Sequence, residues 1–167
     1  MTRLSKLWQR NVIGAVVVAC AVGAYIAIDF GPYWSAYRNT YTPQLVVPDG
    51  ETGASDGQTW KLESIRYLNE SPLSFGPPLP QGTVLTVIVV DWSGTALPGL
   101  CTAVLTDGVR RWDAERSGGF APIPPEGLQS LCHQPGRTQF AFVVPSDAVP
   151  TAVDITHDDQ ITVRLLL

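Results

Sequence analysis

The chain is expected to be all-β, an antiparallel β-sandwich preceded by one transmembrane α-helix. Charged residues make up only 16% of it, against 15 Gly and 14 Pro. That composition favours short strands joined by ordered turns over a helical bundle. The one long apolar run, Asn11 to Phe30, lies near the start. With it set aside, about 135 residues remain, which suits a single domain around one core. The segments read as 1–10 cytoplasmic, 11–30 transmembrane, 31–58 juxtamembrane segment and linker with a short strand, and 59–167 extracytoplasmic domain.

Arg3, Lys6 and Arg10 precede the apolar run and no acidic residue does. By the positive-inside rule this places the N-terminus in the cytoplasm and the rest outside the cell membrane. The 17 residues from Val12 to Ile28 are uncharged, and at roughly 1.5 Å rise each they nearly cross a hydrocarbon layer of about 30 Å. Trp8 on one side and Tyr33, Trp34 and Tyr37 on the other are placed as interfacial anchors. Val17-Val18-Ala19-Cys20 also fits a lipobox, in which Cys20 would be acylated after cleavage, and a simple cleaved signal is a further alternative. The residues after Cys20 stay apolar, which favours a retained span. Ala15, Ala19, Gly23 and Ala27 recur every four residues, a small-residue face that suits docking on another membrane helix or on a second copy of this one.

Strands follow in order. Leu45–Val47 is a short strand inside a turn-rich linker. In "WKLESIRYL" the alternation Trp60/Leu62 changes phase to Ile65/Tyr67, as a strand with a bulge would. "TVLTVIVVDW", from Thr83, is apolar nearly throughout and reads as a central strand. "CTAVLTDGVRRW", from Cys101, suits a hairpin with a two-residue type I′ turn at Asp107-Gly108. "TQFAFVVP" from Thr138, "AVDITHDD" from Ala152 with its turn, and "ITVRLLL" from Ile161 complete the set.

Of three cysteines, Cys20 lies in the apolar run, leaving Cys101 and Cys132 to pair outside the cytoplasm. Their bond would tie the irregular stretch Asp113–Arg137 to the sheet. The stretches "DGQTWKL", "PQGTVLTVIVVDW", "CTAVLTDGVRRW" and "CHQPGRTQFAFVVP", in that order and followed by a hydrophobic last strand, carry a family likeness. The span Leu45–Leu167 resembles the telokin-like, immunoglobulin-like domains attached to the envelope of high-GC Gram-positive bacteria. The resemblance implies an immunoglobulin-like sandwich outside the membrane and brings no catalytic residues with it.

From Phe30 onward eight basic residues face fourteen acidic ones, a balance that excludes nucleic acid as a natural partner. His133 and His157, the two histidines, lack the partners of a hydrolytic triad, and no P-loop, G-x-S-x-G or H-E-x-x-H is present. No cofactor is expected. Asp154, His157, Asp158 and Asp159 are weak candidates for a divalent metal, set against their simpler use in a solvated hairpin turn. Arg110, Arg111 and Trp112 form a basic-aromatic group that suits a binding site or an ordinary strand with snorkelling stems. Leu73, Phe75 and Leu79 in the Pro-rich loop Asn69–Gly82 either meet a partner or shield a sheet edge. The resulting expectation is a non-enzymatic single-pass membrane protein whose sandwich is a binding or scaffolding module, an accessory component of a cell-envelope membrane complex. The alternative is a sandwich that presents a solute or metal to a transporter or enzyme.

Overall fold

A long apolar run without proline should wind into a helix, and it does: α1 covers Thr2–Tyr25 in the computed structural model, which describes residues 2–73, 77–95, 101–116 and 119–167. The helix does not stop at Phe30. A π-helical turn, Ile26–Phe30, leads into α2, Gly31–Asn39. Pro32 accounts for the wider turn, since it has no N–H for the Ile28 carbonyl and its ring crowds that oxygen. The stretch Arg10–Asn39 is long and apolar enough to cross a membrane, its most apolar 18 residues having a mean hydropathy of 2.2.

The chain divides into two units, Met1–Asn39 and Thr40–Leu167. The second is a β-sandwich. Its strands are β1 Leu45–Val47, β2 Thr52–Ser55, β3 Gln58–Leu68, β4 Thr83–Gly94, β5 Cys101–Thr106, β6 Arg111–Asp113, β7 Gly136–Pro145, β8 Ala152–His157 and β9 Gln160–Leu166. One sheet runs β1-β9-β8-β5-β6, the other β2-β3-β4-β7. The steps β4 to β5 and β7 to β8 both cross between sheets, so β4/β7 and β5/β8 interlock as two neighbouring pairs. Among the described strands, β1 and β9 form the single parallel pair, with Leu45 opposite Val163; the other strand pairs are antiparallel, as expected.

Alternation fills the core. Trp60, Ile88, Val90, Trp92, Phe140 and Phe142 from one sheet meet Leu105, Val153, Ile155, Val163 and Leu165 from the other. Each such aliphatic side chain taken from water contributes about 1.5–3 kcal/mol. Trp60 and Trp92 lie directly opposite on β3 and β4 and stack with centroids 5.2 Å apart. The bulge expected in β3 falls between Leu62 and Ser64.

β4 is apolar on both faces because both are covered. Its outer-face residues Leu85 and Val87 join Ala141 in a second cluster, roofed by Leu68, Leu79, Phe120 and Ala121. The Pro-rich loop therefore uses Leu79 to cover the sheet.

Two turn assignments change. The hairpin β5–β6 closes over four residues, Asp107–Arg110, with Thr106 opposite Arg111. Only Gly108 has positive φ in that turn (94°), so it is not a two-residue type I′ turn. The reason is local: the Asp107 carboxylate accepts the N–H groups of Val109 (2.9 Å) and Arg110 (2.6 Å) and holds a longer loop closed. The other Asp-Gly pair, Asp56-Gly57, makes the two-residue turn instead, with φ of 51° and 75° between paired Ser55 and Gln58. It joins β2 to β3, a hairpin hidden in what reads as linker. Its tip packs so closely on Gly94 (φ 114°) that a β-carbon there would collide with the Gly57 carbonyl.

Candidate functional site

Two concave places on the sandwich bring polar groups together. The larger, a groove of about 860 Å³, lies between the Asp113–Arg137 stretch and the edge of β7, with Ala121, Pro122, Ile123 and Leu131 on one side and Gln139, Phe140 and Ala141 on the other. What builds it is the Cys101–Cys132 disulfide, whose Cα atoms are 5.6 Å apart. Both cysteines are buried in the main core, so the bond pins the loop at the mouth of β5.

β7 is an edge strand, and the loop covers that edge incompletely. The Gln129 N–H donates to the Arg137 carbonyl (2.8 Å), the Gln139 N–H to the Gln129 carbonyl (2.8 Å), and the Glu115 N–H to the Ala141 carbonyl (2.7 Å). Residues 137, 139 and 141 therefore aim their backbone groups away from β4. Between the two covered points lie the Gln139 carbonyl and the Ala141 N–H, which have no partner among the described residues. The Gln139 side chain repeats the pattern. Its Nε2 donates to the Pro122 carbonyl (3.0 Å), while Oε1 is buried with no partner among the described residues, although the residue is only 6% exposed. An unmet buried acceptor is costly. Ile123, 82% exposed at the rim, offers apolar area beside it.

The second place is smaller, about 430 Å³, and lies on the outer face of the five-stranded sheet. Asp154 and Arg164 are directly opposite on β8 and β9. Arg164 donates from Nε to Oδ1 (2.6 Å) and from Nη2 to Oδ2 (2.8 Å), a two-pronged bond to a carboxylate that is wholly buried. Hydrogen bonding to Asp154 raises the Arg164 pKa above its ordinary value. Arg164→Leu leaves that carboxylate with only Arg111 near, at 3.5 Å. We expect a loss of about 2–3 kcal/mol, below the usual cost of breaking a buried pair because Arg111 partly compensates; chemical denaturation of the full chain measures it.

The expected site residues separate on inspection. Trp112 turns to the core while Arg111, one position earlier, lies on the outer face, and the Arg110 guanidinium sits 5.4 Å from the Trp112 ring centroid. Arg110 is engaged by Asp107 (2.8 Å) and Asp147 (3.4 Å). Leu73 is half-buried, and Phe75 lies outside the described residues. Asp154 belongs to Arg164, whereas Asp158 and Asp159, with φ of 49° and 61°, make the tight turn between β8 and β9. His157 Nδ1 is 3.5 Å from Asp158 Oδ2. Among the described residues no three His, Cys, Asp or Glu side chains are grouped to hold a metal ion. Ala15, Ala19 and Gly23 share a face of α1, while Ala27 falls in the wider π turn, where the four-residue spacing no longer holds. Cys20 is exposed and unpaired on the helix.

The Asp107 carboxyl is held down from the ordinary 3.8 to about 2, first by the Arg110 backbone N–H, then by the Arg110 side chain and the Val109 N–H. Because the folded value is depressed, the stabilisation is complete above the unfolded value and is lost as pH falls through about 2. In a pH titration followed by NMR, the Val109 and Arg110 amides should move together near that value, and Asp107→Asn should abolish the transition.

Gln139, Arg164 and Ile123 stand out only in the structure. A charged residue midway along each of two neighbouring apolar strands is the one sequence signal that points to Asp154 and Arg164.

No protein-family model and no curated protein matches the sequence. Among solved structures the chain is similar to an uncharacterized beta-sandwich protein from Clostridium difficile 630, at 16% sequence identity, with 74% of this chain and 93% of that one covered and a TM-score of 0.38.

Proposed function

We propose that this protein is a non-enzymatic, single-pass membrane protein whose immunoglobulin-like sandwich stands outside the cytoplasm and binds or scaffolds another protein, as an accessory component of a cell-envelope membrane complex. The observation that carries this reading is the groove beside β7. It is walled by a disulfide-pinned loop and leaves an open donor and acceptor on a strand edge. An extended segment of a partner can donate to the Gln139 carbonyl and accept from the Ala141 N–H, while its side chains rest on Ile123 and Leu131. The apolar helix and its small-residue face support anchoring beside another membrane protein. A disulfide suits an oxidising compartment, and the resemblance to telokin-like envelope domains agrees.

The test is photo-crosslinking in native membranes. A photoreactive residue at Ile123 should give one discrete adduct that the same residue at Val149, exposed on the turn before β8, does not. The reading fails if Ile123 gives no adduct, or if both positions give the same ones.

A further inference from the structure

We propose that the cavity over Arg111 and Arg164 is a binding site for a compact oxyanion of the phosphate or carboxylate class, carried on an uncharged or apolar stem. The site is separate from the groove beside β7 and does not depend on it. Positive charge is in excess at this site. Arg164 alone occupies both oxygens of Asp154, at 2.6 and 2.8 Å. That pair is already neutral and already satisfied. Arg111 is nonetheless held 3.5 Å from the same carboxylate, its side chain about one-third exposed. A second guanidinium placed over a pair that does not need it carries unspent charge and uncommitted N–H donors.

The walls agree. Arg111 and Arg164 line the cavity with Thr106 and Thr151, and among the described residues no carboxylate lines it. Asp154 lies beneath, with no exposed surface, so an incoming solute meets the guanidiniums and not the acid. Of the other acids nearby, Asp107 of the hairpin turn and Asp147 of the turn before β8 are engaged by Arg110, and Asp113, two residues beyond Arg111 on β6, does not line the cavity. The buried Asp154 thus serves as a positioning residue. It fixes two forks side by side on a rigid sheet, which lowers the entropy lost when an anion bridges them. Val109, 91% exposed, and Leu166 flank the arginines and give a non-polar stem somewhere to lie. Such an anion could be a soluble phosphate or carboxylate or the headgroup of a lipid; the recognition chemistry is shared.

Arginine Nε–H signals of the full chain in a zwitterionic detergent, titrated at constant ionic strength, read this directly. Inorganic phosphate and acetate are added in turn, with chloride as the control. A saturable shift at Arg111 and Arg164 with phosphate or acetate, and none with chloride, is the expected result. Arg111→Gln should weaken that binding at least about ten-fold while leaving the backbone amide spectrum and the Arg164 signal in place. Arg111→Lys should recover only part of it, since a point charge replaces a fork. Arg164 is unsuitable for the first variant because its loss uncovers Asp154. A parallel titration with short-chain phosphatidic acid separates the sources: affinity well above that for inorganic phosphate assigns a lipid headgroup, and equal affinity assigns a soluble anion. No saturable shift with any of the three anions, or binding unchanged in Arg111→Gln, overturns the proposal.

Discussion

Trp92→Ala should destabilise the sandwich by about 3–5 kcal/mol, lowering its melting temperature by on the order of 10 °C or more. Trp92 is 1% exposed, sits opposite Trp60 on the neighbouring strand, and stacks on it with an interplanar angle of 13°. Truncation removes the stack and opens a void between two sheets whose backbones are held by their ladders and cannot close in. Trp92→Phe gives a sharper reading of the same site. The indole Nε1 is buried without a partner among the described residues, so phenylalanine loses area but also removes an unsatisfied donor. Its cost should be well under half that of alanine. Equal losses for the two variants in chemical denaturation would contradict this account of the core.

Removing the disulfide comes next in size. Cys101 and Cys132 are 31 residues apart in sequence, and loop closure of that length contributes about 3–4 kcal/mol in the chain-entropy model. The double variant Cys101→Ala/Cys132→Ala should lose roughly that amount and should lose it unevenly. Hydrogen exchange should rise first in the stretch from Asp113 to Arg137, including the Gln129 amide that bonds to Arg137, while β3 and β4 keep their protection. The groove depends on that loop, so the Ile123 adduct should disappear with it. A variant that melts within about 1 kcal/mol of the parent, with unchanged exchange in the loop, would show that the bond holds nothing in place.

How much of this was legible in the sequence differs from element to element, for physical reasons. Periodicity marks β3, β4, β5, β7, β8 and β9, because each places alternate residues in a core, and even the bulge in β3 leaves a phase change at Leu62–Ser64. The hairpin β2–β3 is harder to see. β2 is four residues of Thr, Gly, Ala and Ser with no buried face, and its signal is only the Asp56-Gly57 pair, chemically identical to Asp107-Gly108. Which pair makes the tight turn depends on whether the Asp carboxylate captures the next two N–H groups, and that is decided by tertiary fit. The parallel pairing of β1 with β9 joins opposite ends of the domain, beyond the reach of any local pattern.

The site follows the same logic. Counting outward from the Asp158-Asp159 turn would set Asp154 against Val163. A register shift at Ile155/Thr156 sets it against Arg164 instead. One extra residue thus converts a lone buried carboxylate into a paired one beneath two guanidiniums, and nothing in the residue types announces it. Arg111 was visible as part of a basic-aromatic group, but its neighbours Arg110 and Trp112 have other uses, and its working companion is Arg164. The open edge at Gln139 and Ala141 depends on where a loop stops covering a strand, which composition does not encode.

If, as proposed, an anchored, disulfide-tied sandwich recruits a membrane-complex partner, that partner should survive gentle extraction with it. Native mass spectrometry of the tagged protein, extracted in mild detergent from its own membranes and followed by the intact mass of the released chain, tests this most directly. The expected chain retains the apolar helix, carries no acyl group on Cys20, is lighter by the two hydrogens of one disulfide, and is released from a complex with a stoichiometric partner protein. A chain that starts at or after Cys20, or one that leaves its native membranes alone or only with a second copy of itself, overturns the proposal.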